Sequence, residues 1–389
     1  MVKGFVFMKV HKFIMPEVIF GSGSIKQIGE SCLRLGARKV FIVTDPKVIL
    51  AGWVDSIINS CKKANLSYHV FSELTSNPKD YEVKNGVQQY IASECDAIVG
   101  VGGGSAIDVA KAIAIVATNG GEINDYKGVD KITKPLPPLI MVATTAGSGS
   151  EVSQFSIILD SKNKVKLTII SKSLIPDIAI IDPETLMTKS SLLTATTGLD
   201  VLTHAIESYV SVASTPLTEV HALNSIKLVS KYLRPSVGSQ LNKKAKEKMA
   251  MASLQAGLAF SNAILGAVHA MSHAIGGRYL LPHGDINAIL LPYVIEYNYV
   301  ATPKRFLDIA HVLNENNEQI STLTAGEFIV NYIKQLSKDI DAPQRLGEFG
   351  LSKKDADIVS EYALDDACMI TNPRHVTADA IKDIFIRAL

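Results

Sequence analysis

Three of the chain's nine histidines lie close together, and their spacing suits metal binding. His269 and His273 are four residues apart, which places both side chains on one face of a helix. His283 follows Gly276-Gly277 and Pro282, a pattern that predicts a break in the helix and a turn of the chain. The three rings are therefore expected to converge.

A second segment offers the additional ligands that a metal site needs. Asp200 and His204 are also four residues apart, in a stretch with helical periodicity, so one carboxylate and one imidazole face the same way. Two imidazoles from the later stretch would complete a set of one carboxylate and three histidines. No cysteine lies near these residues, and such a set suits Fe(II) or Zn(II) without choosing between them.

Each pair also has an ordinary structural interpretation. A His/Asp pair at this spacing is commonly a surface pair or a core group with its hydrogen bonds satisfied. Two such pairs occur here, both beside small residues that permit close helix approach, and one leads into Pro282-His283-Gly284. The metal interpretation is favoured, and the structural one stays open.

Length and composition bound the class of protein. The 389 residues, 47% of them hydrophobic, are enough for two domains with sizeable cores. Lys and Arg total 39 against 38 Asp and Glu, a net charge of +1. This balance gives no electrostatic case for nucleic acid or an anionic membrane as partner. A small-molecule substrate is expected.

Cysteine placement and hydropathy indicate a soluble protein of the reducing cytoplasm. The four cysteines are scattered without a C-x-x-C pair, which argues against a disulfide framework or a zinc ribbon: Cys32, Cys61, Cys95 and Cys368. The apolar runs of residues 1–20 are too short for a signal core, and no small-residue cleavage site follows. No segment reaches the roughly 18 uncharged apolar residues that a membrane span needs.

The first half alternates short apolar runs with helical periodicity. The runs are brief and rich in β-branched residues, as buried parallel strands are: residues 39–44, 67–71, 96–101, 139–143 and 178–181. This order predicts an α/β domain with a Rossmann-like parallel sheet. Residues 155–159 and 164–170 flank the polar turn 160–163 and predict a hairpin.

Beyond about Ser190 only helical patterns follow. The predicted helices cover residues 195–211, 217–232, 243–260, 263–275, 284–298, 303–314, 325–337, 354–364 and 378–389. We therefore expect an α/β dinucleotide-binding domain at residues 1–187 and an all-helical metal-binding domain at 188–389. The glycine loops lie in the first and the metal candidates in the second, so the active site is expected in the cleft between them.

A glycine cluster joins one predicted strand to a helix. Gly100-Val-Gly102-Gly103-Gly104-Ser105 ends the strand at residues 96–101, where backbone amides and a helix N-terminus suit a phosphate. The cluster follows the third strand and lacks the acidic residue about 20 positions later, so it differs from the ordinary dinucleotide fingerprint.

Asp45 is the better candidate for the ribose, because it ends the strand at residues 39–44. The alternative is that Asp45-Pro46 simply ends the strand. A carboxylate on the ribose would repel a 2′-phosphate, so NAD is favoured over NADP. A second loop, residues 144–151, packs hydroxyls and glycines at another strand end and suits either a cofactor contact or a helix cap.

Four motifs in order resemble the iron-containing (group III) alcohol dehydrogenases. They are residues 102–111 (Gly-Gly-Gly-Ser-x-x-Asp-x-x-Lys), 144–151 (Thr-Thr-Ala-Gly-Ser-Gly-Ser-Glu), 198–207 (Gly-Leu-Asp-x-x-x-His-x-x-Glu) and the histidine stretch 269–283. Residues 16–23 and 371–374 match as well, so the resemblance covers essentially the whole chain.

The resemblance implies a ligand set and a cofactor site. Asp200, His204, His269 and His283 are then ligands of a divalent metal, Fe(2+) in most members and Zn(2+) in some. His273 is a catalytic proton relay and not a ligand. Residues at cofactor-contacting places are Asp45, Asn77, Gly102, Gly103, Ser105, Asp108, Thr144, Thr145, Ser148 and Lys166. Asp285 departs from the family, in which many members have an apolar residue there.

The implied activity is alcohol dehydrogenation, or aldehyde reduction in reverse. The metal would polarise the substrate oxygen, hydride would pass to the nicotinamide, and His273 or the nicotinamide ribose would carry the proton. Gln154, Phe155, Phe260 and Cys368 are expected around a short primary alcohol or diol. The resemblance favours at least a homodimer, and Phe5–Val10 is expected to add a strand to a partner's sheet.

Other functions are compatible with these motifs. A glycerol-type polyol dehydrogenase or a dehydroquinate-synthase-like lyase would use the same scaffold, but the lyase needs a dense basic pocket and no Lys/Arg cluster surrounds the histidines. A non-catalytic metal-binding or redox-sensing protein is the rival from another class.

Overall fold

A parallel sheet of six strands organises the first half of the chain. The computed structural model describes residues 12–279, 281–314 and 319–389. The strands are β1 (Glu17–Phe20), β2 (Lys39–Val43), β3 (Ser67–Phe71), β4 (Ala97–Gly102), β5 (Gly128–Val129), β6 (Leu139–Ala143), β7 (Phe155–Asp160), β8 (Val165–Ile170) and β9 (Ile178–Ile181). The large sheet has the order β1-β9-β6-β4-β2-β3, with every pair parallel. The predicted α/β class is confirmed.

Helices cover this sheet. They are α1 (Ile28–Arg34), α2 (Pro46–Leu50), α3 (Trp53–Lys63), α4 (Asp80–Ala92) and α5 (Gly104–Asn119). Strands β4 and β6 are buried along their whole length, which explains why they consist of apolar runs without alternation. Because α5 is buried from Ala106 to Ile115, its first turn is held at the carboxyl edge of the sheet.

The predicted hairpin is present. β7 and β8 pair antiparallel from Phe155–Ile170 to Asp160–Val165, and β5 adds a third, parallel strand to β8. The carboxylate of Asp160 accepts from the backbone N–H groups of Lys162 and Asn163, which closes the turn.

The rest of the described chain is helical. The helices are α6 (Ser191–Val210), α7 (Pro216–Gly238), α8 (Lys243–Ala263), α9 (Ala267–Tyr279), α10 (His283–Asn298), α11 (Pro303–Leu313), α12 (Ala325–Asp339), α13 (Ala356–Leu364) and α14 (Ala378–Ala388). Each corresponds to a predicted helix, with ends shifted by a few residues. One large apolar core joins them, and α6 is buried from Gly198 to Val210.

One expectation about the histidine stretch is wrong. Gly276-Gly277 does not break the helix, because α9 continues to Tyr279. The two glycines allow α9 to pack against β8: a Cβ at Gly276 would lie 3.2 Å from Nζ of Lys166, and one at Gly277 would lie 3.1 Å from the carbonyl oxygen of Lys164. The glycines therefore serve close packing, and the chain turns after Tyr279.

Among the described residues, no single helix is long and apolar enough to span a membrane. Helices α8 and α9 pass the length and composition criteria only when taken together, and they are bent by 98° relative to each other.

Candidate active site

Three helices bring a carboxylate and three imidazoles together. α6 carries Asp200 and His204 one turn apart, α9 carries His269, and His283 opens α10. One ligand atom from each of Asp200, His269 and His283 lies within 4.8 Å of the others. Nδ1 of His204 lies 3.9 Å from Oδ1 of Asp200, and the rings of His204 and His269 stack at 4.5 Å.

Neighbouring side chains fix two of these rings. Oε2 of Glu207 lies 2.5 Å from Nδ1 of His269, while Oε1 accepts from the backbone N–H of Val268 at 2.7 Å. Oγ of Ser272 lies 2.8 Å from Nδ1 of His283. Because both Nδ1 atoms have hydrogen-bond partners, Nε2 of each ring is the atom left to bind a metal.

Burial keeps the imidazoles neutral. Loss of solvation lowers the pKa of His204 to about 4 and that of His269 to about 3, although nearby Asp200 opposes both shifts. Burial and then the charge of Lys166 push the pKa of His283 well below its usual value. Neutral imidazoles with free lone pairs are the form that binds a metal.

The donor set fits a divalent cation. Nδ1 of His204 is buried without a hydrogen-bond partner among the described residues, beside a carboxylate and two further imidazoles. A buried ring nitrogen without a partner is costly unless something takes its lone pair. One carboxylate and three imidazoles are the ligand types of Fe(II) and Zn(II) sites.

His273 lies beside this group with a different partner. Its Nδ1 is 2.8 Å from Oδ2 of Asp366, and Oδ1 of the same carboxylate accepts from the backbone N–H of Cys368. Burial opposes the shift, but the interactions of Asp366 with His273 and Cys368 lower its pKa. The ring centroids of His273 and His283 are 5.3 Å apart in a stacked arrangement, so His273 lies beside the ligand group.

The glycine cluster forms the opposite end of the same cavity. Gly103 caps α5, and Ser105 in its first turn donates through Oγ to the carbonyl oxygen of Ser76 at 2.7 Å. Gly103, Gly104 and Ser105 line the cavity beside Asn77, and the first turn of a helix offers backbone N–H groups without intrahelical partners, which suit an anion.

Lys111 anchors the loop that follows β6. Its buried ammonium group donates to the carbonyl oxygens of Ser150, Ser153 and Phe155 at 2.6–3.0 Å. Burial lowers its pKa to about 8. This contact ties α5 to the residue 144–151 loop and to the start of β7.

Asp45 caps a helix with one carboxylate oxygen and presents the other to the glycine cluster. Oδ1 caps α2 by accepting from the backbone N–H groups of Lys47 and Val48. Oδ2 faces the glycine cluster, since a Cβ built on Gly102 would lie 3.4 Å from it. The cap uses only one oxygen, so the other stays available at the edge of the sheet.

A cavity of about 360 Å³ connects these groups. Its lining includes the following residues named from the sequence: Asn77, Gly103, Ser105, Asp108, Thr145, Ser148, Lys166, Asp200, His204, His269, His273 and His283. Asp45, Gly102 and Thr144 do not line it; Gly102 and Thr144 are joined by a backbone hydrogen bond at its base.

Three of the four side chains expected around a substrate line the cavity. Phe155, Phe260 and Cys368 line the cavity, and the ring of Phe260 stacks on His204 at 4.5 Å. Gln154 points away and donates through its side chain to the carbonyl oxygen of Ser261. Asp285 lies outside the ligand group, with its carboxyl group bonded to Thr196. Phe5–Val10 lie outside the described residues.

Sequence reasoning did not assign roles to the partners of the histidines. Glu207 follows His204 by three residues and Asp200 by seven, so its place on the same helix face was available as a signal. Asp366 is 93 residues from His273 along the chain, and no local pattern connects them.

Comparisons with known proteins give concordant matches over the whole chain. A family model described as iron-containing alcohol dehydrogenase matches residues 16–183, and one for the C-terminal part of the Fe-containing alcohol dehydrogenase family matches residues 194–389. A 1,3-propanediol dehydrogenase of Citrobacter freundii is 42% identical over 383 residues, covering 98% of this chain and 99% of that protein. An NAD-dependent methanol dehydrogenase of Bacillus methanolicus is 39% identical over 377 residues, covering 97% and 99%. The solved structure of an alcohol dehydrogenase from Oenococcus oeni has a TM-score of 0.95 at 39% identity, covering 98% of this chain and 100% of that one.

Proposed function

The chain belongs to the iron-containing alcohol dehydrogenase family, and from this premise we propose which of its residues hold the metal, the dinucleotide and the substrate. The protein is an oxidoreductase that interconverts an alcohol and a carbonyl compound with a metal and an NAD-type dinucleotide. The lyase alternative is not favoured, because Lys166 is the one Lys or Arg among the described residues that line the cavity.

The observation that carries the assignment is the single cavity between the start of α5 and the ligand group. The start of α5 would hold the diphosphate of a dinucleotide, and Asp200, His269 and His283 would hold the metal, so a substrate in this cavity would have both within reach.

Asp200, His204, His269 and His283 are the proposed metal ligands. A bound Fe(II) or Zn(II) would supply Lewis acidity to the substrate oxygen. Glu207 and Ser272 orient two of the rings, and burial of Asp200, His204 and His269 excludes competing water.

The proposed dinucleotide site uses the first half of the chain. Gly102, Gly103 and Ser105 hold the diphosphate with the start of α5, and Lys166 adds a cation. Asp45 takes the adenosine ribose, which favours NAD over NADP. The remaining proposed contacts are Asn77, Asp108, Thr144, Thr145 and Ser148.

The proposed substrates are short primary alcohols or diols and their aldehydes. The side chains next to the ligand group are apolar or small, including Phe155, Phe260, Leu265 and Cys368. They would hold a short carbon chain against His204 and leave little room for a bulky or highly polar one.

His273 is the proposed proton carrier. With Nδ1 bonded to Asp366, Nε2 is free to accept the proton that an alcohol loses as its carbon gives up hydride. His273 also borders a second cavity, which includes Asp366, and this gives the proton a way out of the site.

We also propose that the α/β domain ends at residue 187 and that the helical domain begins at residue 188. The proposed assembly is a homodimer or a larger homo-oligomer, and the proposed location is the cytoplasm. The change from sheet to helices between β9 and α6 supports the division. The four buried free cysteines suit a reducing compartment.

The direct test uses purified protein loaded with Fe(II) or Zn(II). Addition of NAD with 1,3-propanediol or butanol should increase nicotinamide absorbance, and a chelator should stop the reaction. Absence of turnover across a panel of alcohols and aldehydes with either metal would contradict the proposal.

A further inference from the structure

Asn287 contacts three of the four proposed ligands. It lies on α10, one turn after His283, and is fully buried. Its Nδ2 donates to Oδ1 of Asp200 at 2.7 Å and lies 3.1 Å from Nε2 of His283 and 3.2 Å from Nε2 of His269. One amide group thus joins ligand atoms from α6, α9 and α10.

These contacts keep the ligand atoms near the spacing that a metal requires. Oδ1 of Asp200 and Nε2 of His269 are 3.8 Å apart. Two ligands of a tetrahedral site with bonds of about 2.1 Å are about 3.4 Å apart, so little movement is needed. Without a donor between them, a buried carboxylate and two ring lone pairs would repel one another.

A purely structural role explains Asn287 poorly. Its Oδ1 has no hydrogen-bond partner among the described residues, although it is buried. A leucine of similar shape would fill the same space without burying an unpaired carbonyl. The contacts of its N–H groups with the proposed metal ligands therefore explain the amide at this position.

We propose that Asn287 is a positioning residue for the metal: its amide holds Asp200, His269 and His283 in place before the cation arrives and remains bonded to Asp200 afterwards. This inference rests on the proposed metal site. It predicts that loss of the amide weakens metal binding even where the protein stays folded, since the carboxylate then loses the donor that orients it.

The chain offers a matched control on the same helix. Asn298 is buried near the end of α10 and exchanges side-chain hydrogen bonds with Asn372; among the described residues it makes none to a proposed ligand. Asn287→Leu and Asn298→Leu each replace one buried amide group of α10 with an apolar side chain. Comparing them separates a metal effect from a general loss of stability.

The experiment is a Co(II) titration of metal-free protein, followed by visible absorption and by competition with a chelator. Asn287→Leu should bind Co(II) roughly 10–100-fold more weakly, with a changed visible spectrum. Asn298→Leu should lower the Tm and keep the wild-type affinity and spectrum. Asn287→Ala serves if the leucine variant does not fold.

The outcomes separate this inference from the function it rests on. Wild-type affinity and spectrum in folded Asn287→Leu or Asn287→Ala overturn the role of Asn287 and leave the metal site intact. An equal loss in Asn298→Leu also overturns it, because the effect is then one of general stability. If wild-type protein binds no Co(II), or Asp200→Asn binds it as tightly as wild type, the proposed metal site fails and the inference fails with it.

Discussion

Glu207 and His269 form a buried pair in which a carboxylate oxygen lies 2.5 Å from the ring nitrogen on the side away from Asp200. The second carboxylate oxygen is held by the backbone N–H of Val268, next to His269 in the chain. The orientation of His269 thus depends on a residue that does not itself belong to the proposed ligand set.

Substitution of Glu207 should therefore weaken metal binding without removing a ligand. We expect Glu207→Gln to lower metal affinity about 10–100-fold, measured by chelator competition. Glu219→Gln, which affects a carboxylate paired with Arg305 elsewhere in the helical half, is the control and should leave affinity unchanged. Equal affinity in both variants would contradict the role of Glu207.

Loss of a proposed ligand should have a larger effect. Asp200→Asn and His269→Ala should lose metal and activity together, each by more than about 100-fold, beyond the range typical of outer partners. Metal content by elemental analysis and the rate of alcohol oxidation are measured on the same batch, with circular dichroism as the control for folding. A metal-free variant with full activity would refute the assignment.

Lys166 predicts a pH dependence of cofactor binding. Burial lowers its pKa to about 8, and the ammonium group is charged only below its pKa. The value of kcat/KM for NAD, which reports groups of the free enzyme, should fall as pH rises through about 8. In Lys166→Arg the charge persists, so this fall should move to higher pH. An identical profile in both proteins would exclude Lys166 from the diphosphate.

The position of Asp45 predicts a preference for NAD over NADP. Asp45→Gly should narrow the ratio of kcat/KM for NAD over NADP by on the order of 10-fold, which corresponds to about 1.4 kcal/mol. Glycine is chosen because it replaces a helix cap at a cost of only a few tenths of a kcal/mol. An unchanged ratio would remove Asp45 from the ribose.

Replacement of Lys111 should lower the free energy of unfolding. Lys111→Met leaves three buried carbonyl oxygens without their donor, and we expect about 3–5 kcal/mol of destabilisation in urea unfolding. Lys246→Met is the matched control, since the buried Lys246 donates to one backbone carbonyl, that of Ser236, and should cost less. Equal losses in the two variants would show that the loop does not depend on Lys111.

Much of the fold could be predicted because its signals are local. Strands β4 (Ala97–Gly102) and β6 (Leu139–Ala143) are buried parallel strands, whose apolar runs mark their ends closely. The sequence marks the ends of helices less sharply. The helix break expected at Gly276-Gly277 is absent, because glycines that break an isolated helix permit close packing inside a folded protein.

The site could be predicted from the sequence only where its residues lie close together along the chain. Asp200 and His204 share a helix face by their four-residue spacing, and so do His283 and Asn287, but an asparagine at this spacing is not by itself a metal-site signal. Asp366 reaches His273 through tertiary packing alone. Such partners depend on how α9 and α13 meet, which no local pattern encodes.

The glycine contact between α9 and β8 has a consequence for engineering by recombination. Gly277 brings the backbone of α9 against the backbone of residues 164–166, and Gly276 leaves room for the side chain of Lys166, so the hairpin and α9 pack closely against each other. A chimera that exchanges the helical half with that of a relative should carry residues 155–170 along with it. Crossovers placed between the two pieces should yield proteins that misalign nicotinamide and metal even where each parent half folds.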